Sequence, residues 1–496
     1  MPEVNSDDAH ILRGSASVVR LFEWPYSAIG SECARLGRQG WIAVDISSPA
    51  ASNVANDSQR VFPAYSWPER MLPYDLSNLS STLGTEAELS TAVSECMRAG
   101  VQVYASVALN QVAPNSKTAT TRQPCNISTY TNLFGVWQCQ PTPALDRNTG
   151  VASERRLIAR YLNSLVLLGI SGFRILDAHL ISHEDMAAVM DLVLPLRYDV
   201  AAFANVTQVV YLFDPWPFAL LGKDAPMQPP GDELPYSLTA MPYLALRNLS
   251  FTTDRAWSLR AARAWLCGSV GQPACTDQDE LLQLTQASSS LSYAEYTSAT
   301  RDEQWRFVTN ASVTRIERSL SDPALNAFGV RECANGRDVC ADVLTGQYSP
   351  DVAALATVWM FALPGGPTTV FSSYKWARHF NATTGADENW FTGPPRMASG
   401  AVAPVLCASD LSVEGRVGGG TEWNCEHRHA LVEVMPLWRT EVDNTWEVQF
   451  LKSFQAHSVA FARGAESRGG FRRHGWVLIH AGTEPLEDLR IETGAP

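Results

Sequence analysis

The chain has 496 residues, 46% of them hydrophobic and 18% charged, so it is long enough for one large domain with one or two smaller ones. Its formal net charge of −13 is spread along the chain without acidic or basic blocks, which argues against nucleic acid as a partner. No apolar run reaches the roughly 20 residues needed to span a bilayer. The longest candidate, residues 352–366, is interrupted by Pro364 and predicts a buried helix leading into a strand.

From about Ser15, short apolar runs alternate with amphipathic stretches. Residues 16–24 predict a strand, 26–40 a helix that ends in glycine, and 41–49 a second strand. The same order recurs at 86–109, where a helix with a glycine stop leads into another strand. Repeated strand–helix units over about 400 residues indicate parallel strands, most simply an eight-stranded α/β barrel.

Four segments have the pattern of a barrel strand's end, where a barrel of this kind carries its reactive groups. They are residues 101–111, 169–182, 200–208 and 306–315. Three of these segments contain no carboxylate, and the remaining one contains Asp177. The pattern therefore predicts a barrel whose strand ends have lost most of their acidic groups.

Two regions depart from the strand–helix rhythm. Residues 111–146 are rich in Pro, Asn, Thr and Gln and predict an inserted subdomain after the third strand. The last fifty or so residues alternate like antiparallel strands. The predicted organisation is a barrel over 14–110 and 147–440, an insertion over 111–146, and a truncated C-terminal antiparallel β domain over 441–496.

The ten cysteines fall largely in loop-closing pairs without the Cys-x-x-Cys doublets of a zinc site. Close pairs flank loops at Cys267/Cys275 and Cys333/Cys340, and wider ones at Cys125/Cys139 and Cys407/Cys425. This pattern favours disulfides and an oxidising compartment.

Seven Asn-x-Ser/Thr sequons agree with a secreted or endomembrane-lumenal glycoprotein. They are Asn56, Asn78, Asn126, Asn205, Asn248, Asn310 and Asn381. Residues 1–14 are polar and contain no apolar stretch of the kind a secretory signal has.

Several long strings resemble the animal-type, chloride-dependent α-amylases of glycoside hydrolase family thirteen. They are VVRLFEW, SSYKWARHF, ENWFTGPP, WNCEHRHALVEVMPLWR and GWVLIHAGTEP. The resemblance implies a (β/α)8 TIM barrel with an inserted subdomain and a C-terminal sheet, and retaining hydrolysis of α-1,4-glucans by two carboxylates and a supporting Asp. It also implies the disulfides Cys33–Cys96, Cys125–Cys139 and Cys407–Cys425, whereas Cys267–Cys275 and Cys333–Cys340 are private to this chain.

The resemblance places non-acidic residues at all three catalytic positions. The nucleophile position is Leu176, the general-acid position is Asn205, and the supporting Asp position is Ser312. Asp177 follows Leu176 directly, but successive strand residues point to opposite faces, so a bulge would be needed to turn it inward. Four further polar family positions are also substituted, namely Ser106, Gln111, Leu180 and Ala311.

The resemblance also implies two ion sites. Arg174, Asn310 and Lys375 match chloride ligands. Asn110 and Asp146 match the side-chain ligands of a structural calcium, whose remaining ligands would be backbone carbonyls. Calcium and chloride are therefore the expected cofactors.

The main hypothesis is an α-amylase-like pseudoenzyme that serves as a structural or binding component. An open edge of the C-terminal sheet would then recruit a protein partner. Two alternatives stay open. One is an active glycosidase that uses Asp177 together with an acid from another loop. The other is a glycan-binding module, for which Trp67 is the aromatic candidate.

Overall fold

The computed structural model describes most of the barrel, part of the insertion and part of the C-terminal sheet. The described residues are 16–52, 65–116, 119–124, 133–140, 144–176, 178–214, 241–254, 257–258, 261, 264–265, 280–288, 292–297, 304–312, 315–320, 350–376, 389, 391–407, 423–442, 448–452, 458–467 and 470–480.

The strands alternate with helices over most of the chain. In chain order the strands are β1 (Ser17–Leu21), β2 (Ala43–Ile46), β3 (Gln102–Ala108), β4 (Gln111–Val112), β5 (Leu145–Asp146), β6 (Gly172–Leu176), β7 (Val210–Phe213), β8 (Ser250–Thr253), β9 (Ser292–Thr297), β10 (Gln304–Ser312), β11 (Ile316–Ser319), β12 (Thr368–Ser372), β13 (Val448–Lys452), β14 (Ser458–Ser467) and β15 (Gly470–His480). The helices are α1 (Tyr26–Arg38), α2 (Trp67–Met71), α3 (Glu86–Arg98), α4 (Leu133–Gln138), α5 (Ala152–Leu168), α6 (His183–Met190), α7 (Tyr198–Ala204), α8 (Met241–Leu244), α9 (Glu280–Ala287), α10 (Pro350–Ala362) and α11 (Met435–Glu441).

Eight parallel strands close into a barrel, as the strand–helix rhythm predicts. The order around the barrel is β1–β12–β11–β8–β7–β6–β3–β2. Every residue of β1, β3 and β6 is buried, which is the expected pattern for parallel strands covered on both faces. The (β/α)8 fold class is confirmed.

The helices that follow β1 and β2 pack against each other on the outside of the barrel. Thr85 begins α3 with a capping box, because its hydroxyl accepts from the backbone of Glu88 and the Glu88 carboxylate accepts from the backbone of Thr85. The predicted disulfide Cys33–Cys96 joins α1 to α3. Among the described helices, none combines the length and apolar character needed to cross a membrane.

The other predicted disulfides have mixed outcomes. Cys407–Cys425 is confirmed. Cys139 is disulfide-bonded, while its predicted partner Cys125 lies outside the described residues. The four cysteines of the two private pairs, Cys267, Cys275, Cys333 and Cys340, also lie outside them.

Three smaller sheets lie outside the barrel among the described residues, and one of them is the two-stranded pair of β9 and β10. β4 and β5 pair antiparallel at the two ends of the inserted region, with Gln111 opposite Asp146. β13, β14 and β15 form an antiparallel sheet with β14 in the centre. Antiparallel pairing in the C-terminal region agrees with the alternating pattern of its sequence.

The prediction that residues 200–208 end a barrel strand is wrong. Residues 198–204 form helix α7, and Asn205 ends it in the left-handed conformation, with φ 54° and ψ 32°. The fifth barrel strand is β7, which begins five residues later. Asn205 therefore lies before this strand, and it cannot occupy a catalytic position at the strand's C-terminal end.

The prediction for residues 306–315 is also wrong. Residues 304–312, which include Asn310, Ala311 and Ser312, form β10 and pair antiparallel with β9 outside the barrel. The barrel strand in this region is β11, which pairs with β8 on one side and β12 on the other. Residues 306–312 are extended, as a strand would be, but they belong to a two-stranded ribbon.

Candidate active site

The C-terminal end of β6 carries the residue predicted at the nucleophile position. Leu176 is the last residue of β6, its side chain is 9% exposed, and it belongs to the hydrophobic core. A leucine has no group that could attack an anomeric carbon. Asp177, the candidate substitute, lies outside the described residues.

Two carboxylates at neighbouring strand ends were missed by the sequence reasoning. Asp214 directly follows β7 and Asp254 directly follows β8, and both are buried. The carbonyl of Asp214 accepts from the backbone of Ala178, and the Asp254 carboxylate accepts from the backbone of Trp257 at 3.0 Å. The signal was available for Asp214, which ends the apolar run 209–213, whereas the mostly polar residues 250–253 before Asp254 carry no such signal.

An arginine on β6 organises the barrel interior. Arg174 is buried, and its Nη1 and Nη2 atoms donate to the two carboxylate oxygens of Glu317 at 2.6 and 2.5 Å. Its Nε donates to Oδ2 of Asp45 at 2.5 Å. Asp45 also accepts from the Ser106 hydroxyl at 2.9 Å. The interior thus holds matched charges with oriented donors, the arrangement that a buried ion pair needs to persist.

The protonation behaviour of this network differs from that of a hydrolytic acid. Burial alone would raise the pKa of Glu317, but the Arg174 guanidinium and the Thr369 and Thr253 hydroxyls hold that pKa below its usual range. A general acid needs a pKa raised towards the working pH. The direction of this shift favours the ionised form of Glu317 and opposes proton donation by it.

The predicted chloride ligands are not brought together. Arg174 binds two carboxylates, Asn310 lies in the ribbon outside the barrel, and the Lys375 side chain is exposed. The physical reason is that Glu317 already supplies negative charge to the Arg174 guanidinium. The described residues do not fit a chloride site at this place.

The predicted calcium ligands are brought together by the pairing of β4 with β5. Asn110 and Asp146 are fully buried, and Nδ2 and Oδ1 of Asn110 and both carboxylate oxygens of Asp146 have no hydrogen-bond partner. Burial raises the pKa of Asp146 to about 7, although the Arg122 charge and the nearby Asn110 amide lower it. Unpaired buried oxygens are costly and fit a hard cation. No cluster of three His, Cys, Asp or Glu side chains occurs in the described ranges.

Trp67, the aromatic side chain that was predicted to bind a glycan, is buried. Trp67 is 4% exposed and packs edge-on against Phe22, with its ring inside the core. Two residues earlier, Tyr65 is 49% exposed and has φ 62°, and the guanidinium carbon of Arg396 lies 4.8 Å from its ring centre. The exposed aromatic group of this loop is Tyr65 and not Trp67, because the side chain at the start of α2 turns inward.

Comparisons with known proteins agree with the barrel. The chain is 24% identical to the pancreatic α-amylase of Sus scrofa over 507 residues, which cover 94% of this chain and 84% of that protein. It is 24% identical to the pancreatic α-amylase of Homo sapiens, with 98% and 86% covered. The crystal structure of α-amylase I from Eisenia fetida superposes with a TM-score of 0.66 at 18% identity, over 94% of this chain and 84% of that one. No protein-family model matches the chain.

Proposed function

We propose that this α-amylase-like chain, a relative of the animal α-amylases over nearly its whole length, does not hydrolyse α-1,4-glucans by their retaining mechanism and acts instead as a binding component. The observation that carries the proposal is Leu176 at the end of β6, where the resemblance places the nucleophile. Retaining hydrolysis requires a carboxylate there, because the covalent glycosyl intermediate forms on it.

The charged interior supports the same conclusion. Arg174 binds Glu317 and Asp45, and near the end of β1 Arg70 binds Glu23 within hydrogen-bond distance. The Arg174 guanidinium holds the pKa of Glu317 below its usual range, which opposes proton donation by Glu317. Arg174 with its two carboxylate partners and the separate Arg70–Glu23 pair stabilise the fold and do not form an acid pair for hydrolysis.

A second candidate function is a glycosidase with relocated acids. Asp177, Asp214 and Asp254 directly follow β6, β7 and β8, which are neighbours in the barrel. Carboxylates at adjacent strand ends are where barrel enzymes place their reactive groups. This candidate needs two of the three to face one substrate.

Hydrolysis assays separate the two candidates. The protein would be incubated with soluble starch and with maltotetraosyl substrates, together with the variants Asp214→Asn and Asp254→Asn. We expect no more than a trace rate, unchanged by either substitution. The exposed Glu86→Gln on α3 is the matched control for a lost carboxylate.

A measurable rate for the unsubstituted protein that falls at least about 100-fold in Asp214→Asn or Asp254→Asn would overturn the proposal in favour of the glycosidase. Thermal unfolding of each variant would show whether a lost rate reflects a lost fold.

The binding role has two further supports. The described C-terminal sheet has β13 and β15 as its outer strands, and an outer strand can pair with a segment of a protein partner. Tyr65 is about half exposed, with the Arg396 guanidinium near its ring, and is the aromatic candidate for a contact with a glycan ring. Direct titration with maltooligosaccharides or glycogen, with Tyr65→Ala as the variant, separates glycan binding from a protein partner.

A structural calcium and a lumenal or extracellular location belong to the same proposal. Asn110 and Asp146 would hold the ion, which would supply positive charge to buried oxygens that have no partner. The disulfides Cys33–Cys96 and Cys407–Cys425 support an oxidising compartment.

A further inference from the structure

The Glu317 carboxylate occupies hydrogen-bond donors of the Arg174 guanidinium, so the anion bound by this arginine comes from the chain itself. The guanidinium Nη1 and Nη2 atoms form a bidentate pair with the Glu317 carboxylate, and Nε is taken by Asp45. Bidentate pairing is the strongest arrangement an arginine makes with an anion. Both partners of the Arg174–Glu317 pair are almost wholly buried, so water does not compete for these donors.

Two hydroxyl groups complete the shell around the Glu317 carboxylate. Thr253 on β8 donates to Oε2 at 2.7 Å, and Thr369 on β12 donates to Oε1. Glu317 lies on β11 between these strands, and its backbone register with Thr253 fixes the side chain there. The carboxylate thus receives two guanidinium donors and two hydroxyl donors, and both of its oxygens are satisfied.

The balance of positive and negative charge inside the barrel depends on Glu317. Arg20 lies 3.8 Å from Asp45 and also faces the rings of Phe22 and Phe371, so two arginines share the space. Asp45 and Glu317 balance them, and Asp214 attracts Arg174 more weakly. Without Glu317, the Arg174 guanidinium would keep two free donors in a dry site lined by two threonine hydroxyls.

We propose that Glu317 is a built-in anion for Arg174, which makes the barrel independent of chloride and conceals a site for small monovalent anions. The site would be lined by the Arg174 guanidinium and the Thr253 and Thr369 hydroxyls, and it would take chloride, nitrate or formate once the carboxylate is removed. The proposal does not depend on whether the chain hydrolyses glucans.

Thermal unfolding at constant ionic strength tests this assignment. The full chain and the variants Glu317→Ala and Glu317→Ser would be compared in sodium chloride, nitrate, formate and gluconate, the last being too large for the site. We expect one Tm in all four salts for the unsubstituted protein. For Glu317→Ala we expect a saturable rise of several degrees with the three small anions and none with gluconate, because an anion that binds only the folded state stabilises it.

Two controls keep the test decisive. Asp199→Ala breaks the exposed Arg197–Asp199 pair, and its Tm should not respond to the anion, because water already solvates that arginine. If Glu317→Ala does not fold, Glu317→Ser, whose short side chain also vacates the space beside the guanidinium, carries the test, with bromide located by anomalous scattering beside Arg174. A saturable rise in chloride for the unsubstituted protein, or no response to any anion in both Glu317 variants, would refute the built-in anion.

Discussion

Individual charged side chains in this molecule are buried in matched groups. Glu32 on α1 is an example outside the barrel axis. Its carboxylate accepts from Nε2 of His427 at 2.8 Å and from Nε of Arg428 at 3.0 Å. These bonds join the first helix to the segment after β12, almost 400 residues later in the chain. One carboxylate therefore couples the two ends of the barrel sequence.

The free energy of unfolding at acidic pH should depend on the ionisation of Glu32. Burial alone would raise its pKa, but the bonds from His427 and Arg428 lower the pKa to about 2 from 4.5. The unfolded chain then binds more protons than the folded one between these values, so the stabilisation is present above pH 4.5 and is lost as the pH falls towards 2. The difference corresponds to about 3 kcal/mol.

Urea unfolding from pH 2 to pH 6 is the measurement. In Glu32→Gln this part of the acid dependence should disappear, and the free energy of unfolding near pH 6 should be lower than in the unsubstituted protein. The exposed Glu86→Gln should keep the full acid dependence. An unchanged slope in Glu32→Gln would show that its partners do not hold the carboxylate ionised.

At the scale of elements, the two wrong strand assignments have a common cause. A short apolar run fits a strand or a segment of a buried helix equally well, and only its length and flanking residues separate the two. Residues 198–204 become a helix because Asn205 can end it in the left-handed region, which asparagine tolerates better than most residues. Residues 304–312 stay extended but pair with β9, a choice that depends on another segment.

Substitution of Asn205 tests this element directly. Asn205→Gly should lower the free energy of unfolding less than Asn205→Val does, because glycine adopts positive φ freely. Asn205→Val should lower it by about 1–2 kcal/mol or more, because a β-branched side chain is strained there.

Both Asn205 changes remove a sequon, so Thr207→Ala, which removes the same sequon at an exposed residue, is the matched control. Equal stability of Asn205→Val and Thr207→Ala in chemical denaturation would argue for extended backbone at Asn205.

At the scale of the whole molecule, the insertion is tied to the barrel where β4 pairs with β5. Asn110 follows β3, and its carbonyl accepts from the backbone of Arg147 at 2.7 Å. Asp146 carries a buried carboxylate whose oxygens have no hydrogen-bond partner. A cation bound here would link the barrel to its insertion, so its effect should appear in the unfolding of the whole chain.

Removal of calcium is the corresponding prediction. A chelator should lower the Tm by several degrees, and added calcium should restore it, because a ligand of the folded state stabilises that state. In Asp146→Asn the response should be lost, whereas Glu86→Gln should respond as the unsubstituted protein does. A Tm indifferent to both chelator and calcium would exclude a cation at Asn110 and Asp146.

The strand–helix repeat of the barrel and its outer helices could be predicted from the residues alone, because hydrophobic periodicity and glycine stops act locally along the chain. The disulfide Cys33–Cys96 was predicted only from the resemblance to a known family, because 63 residues separate its two cysteines. The same resemblance identified Asn110 and Asp146 as candidate calcium ligands. Only the tertiary structure decided which short runs complete the barrel, and thereby which acids follow its strands. The pairing of Glu317 with Arg174 could not be predicted from the sequence, because 143 residues separate the two and the register of the barrel strands brings them together.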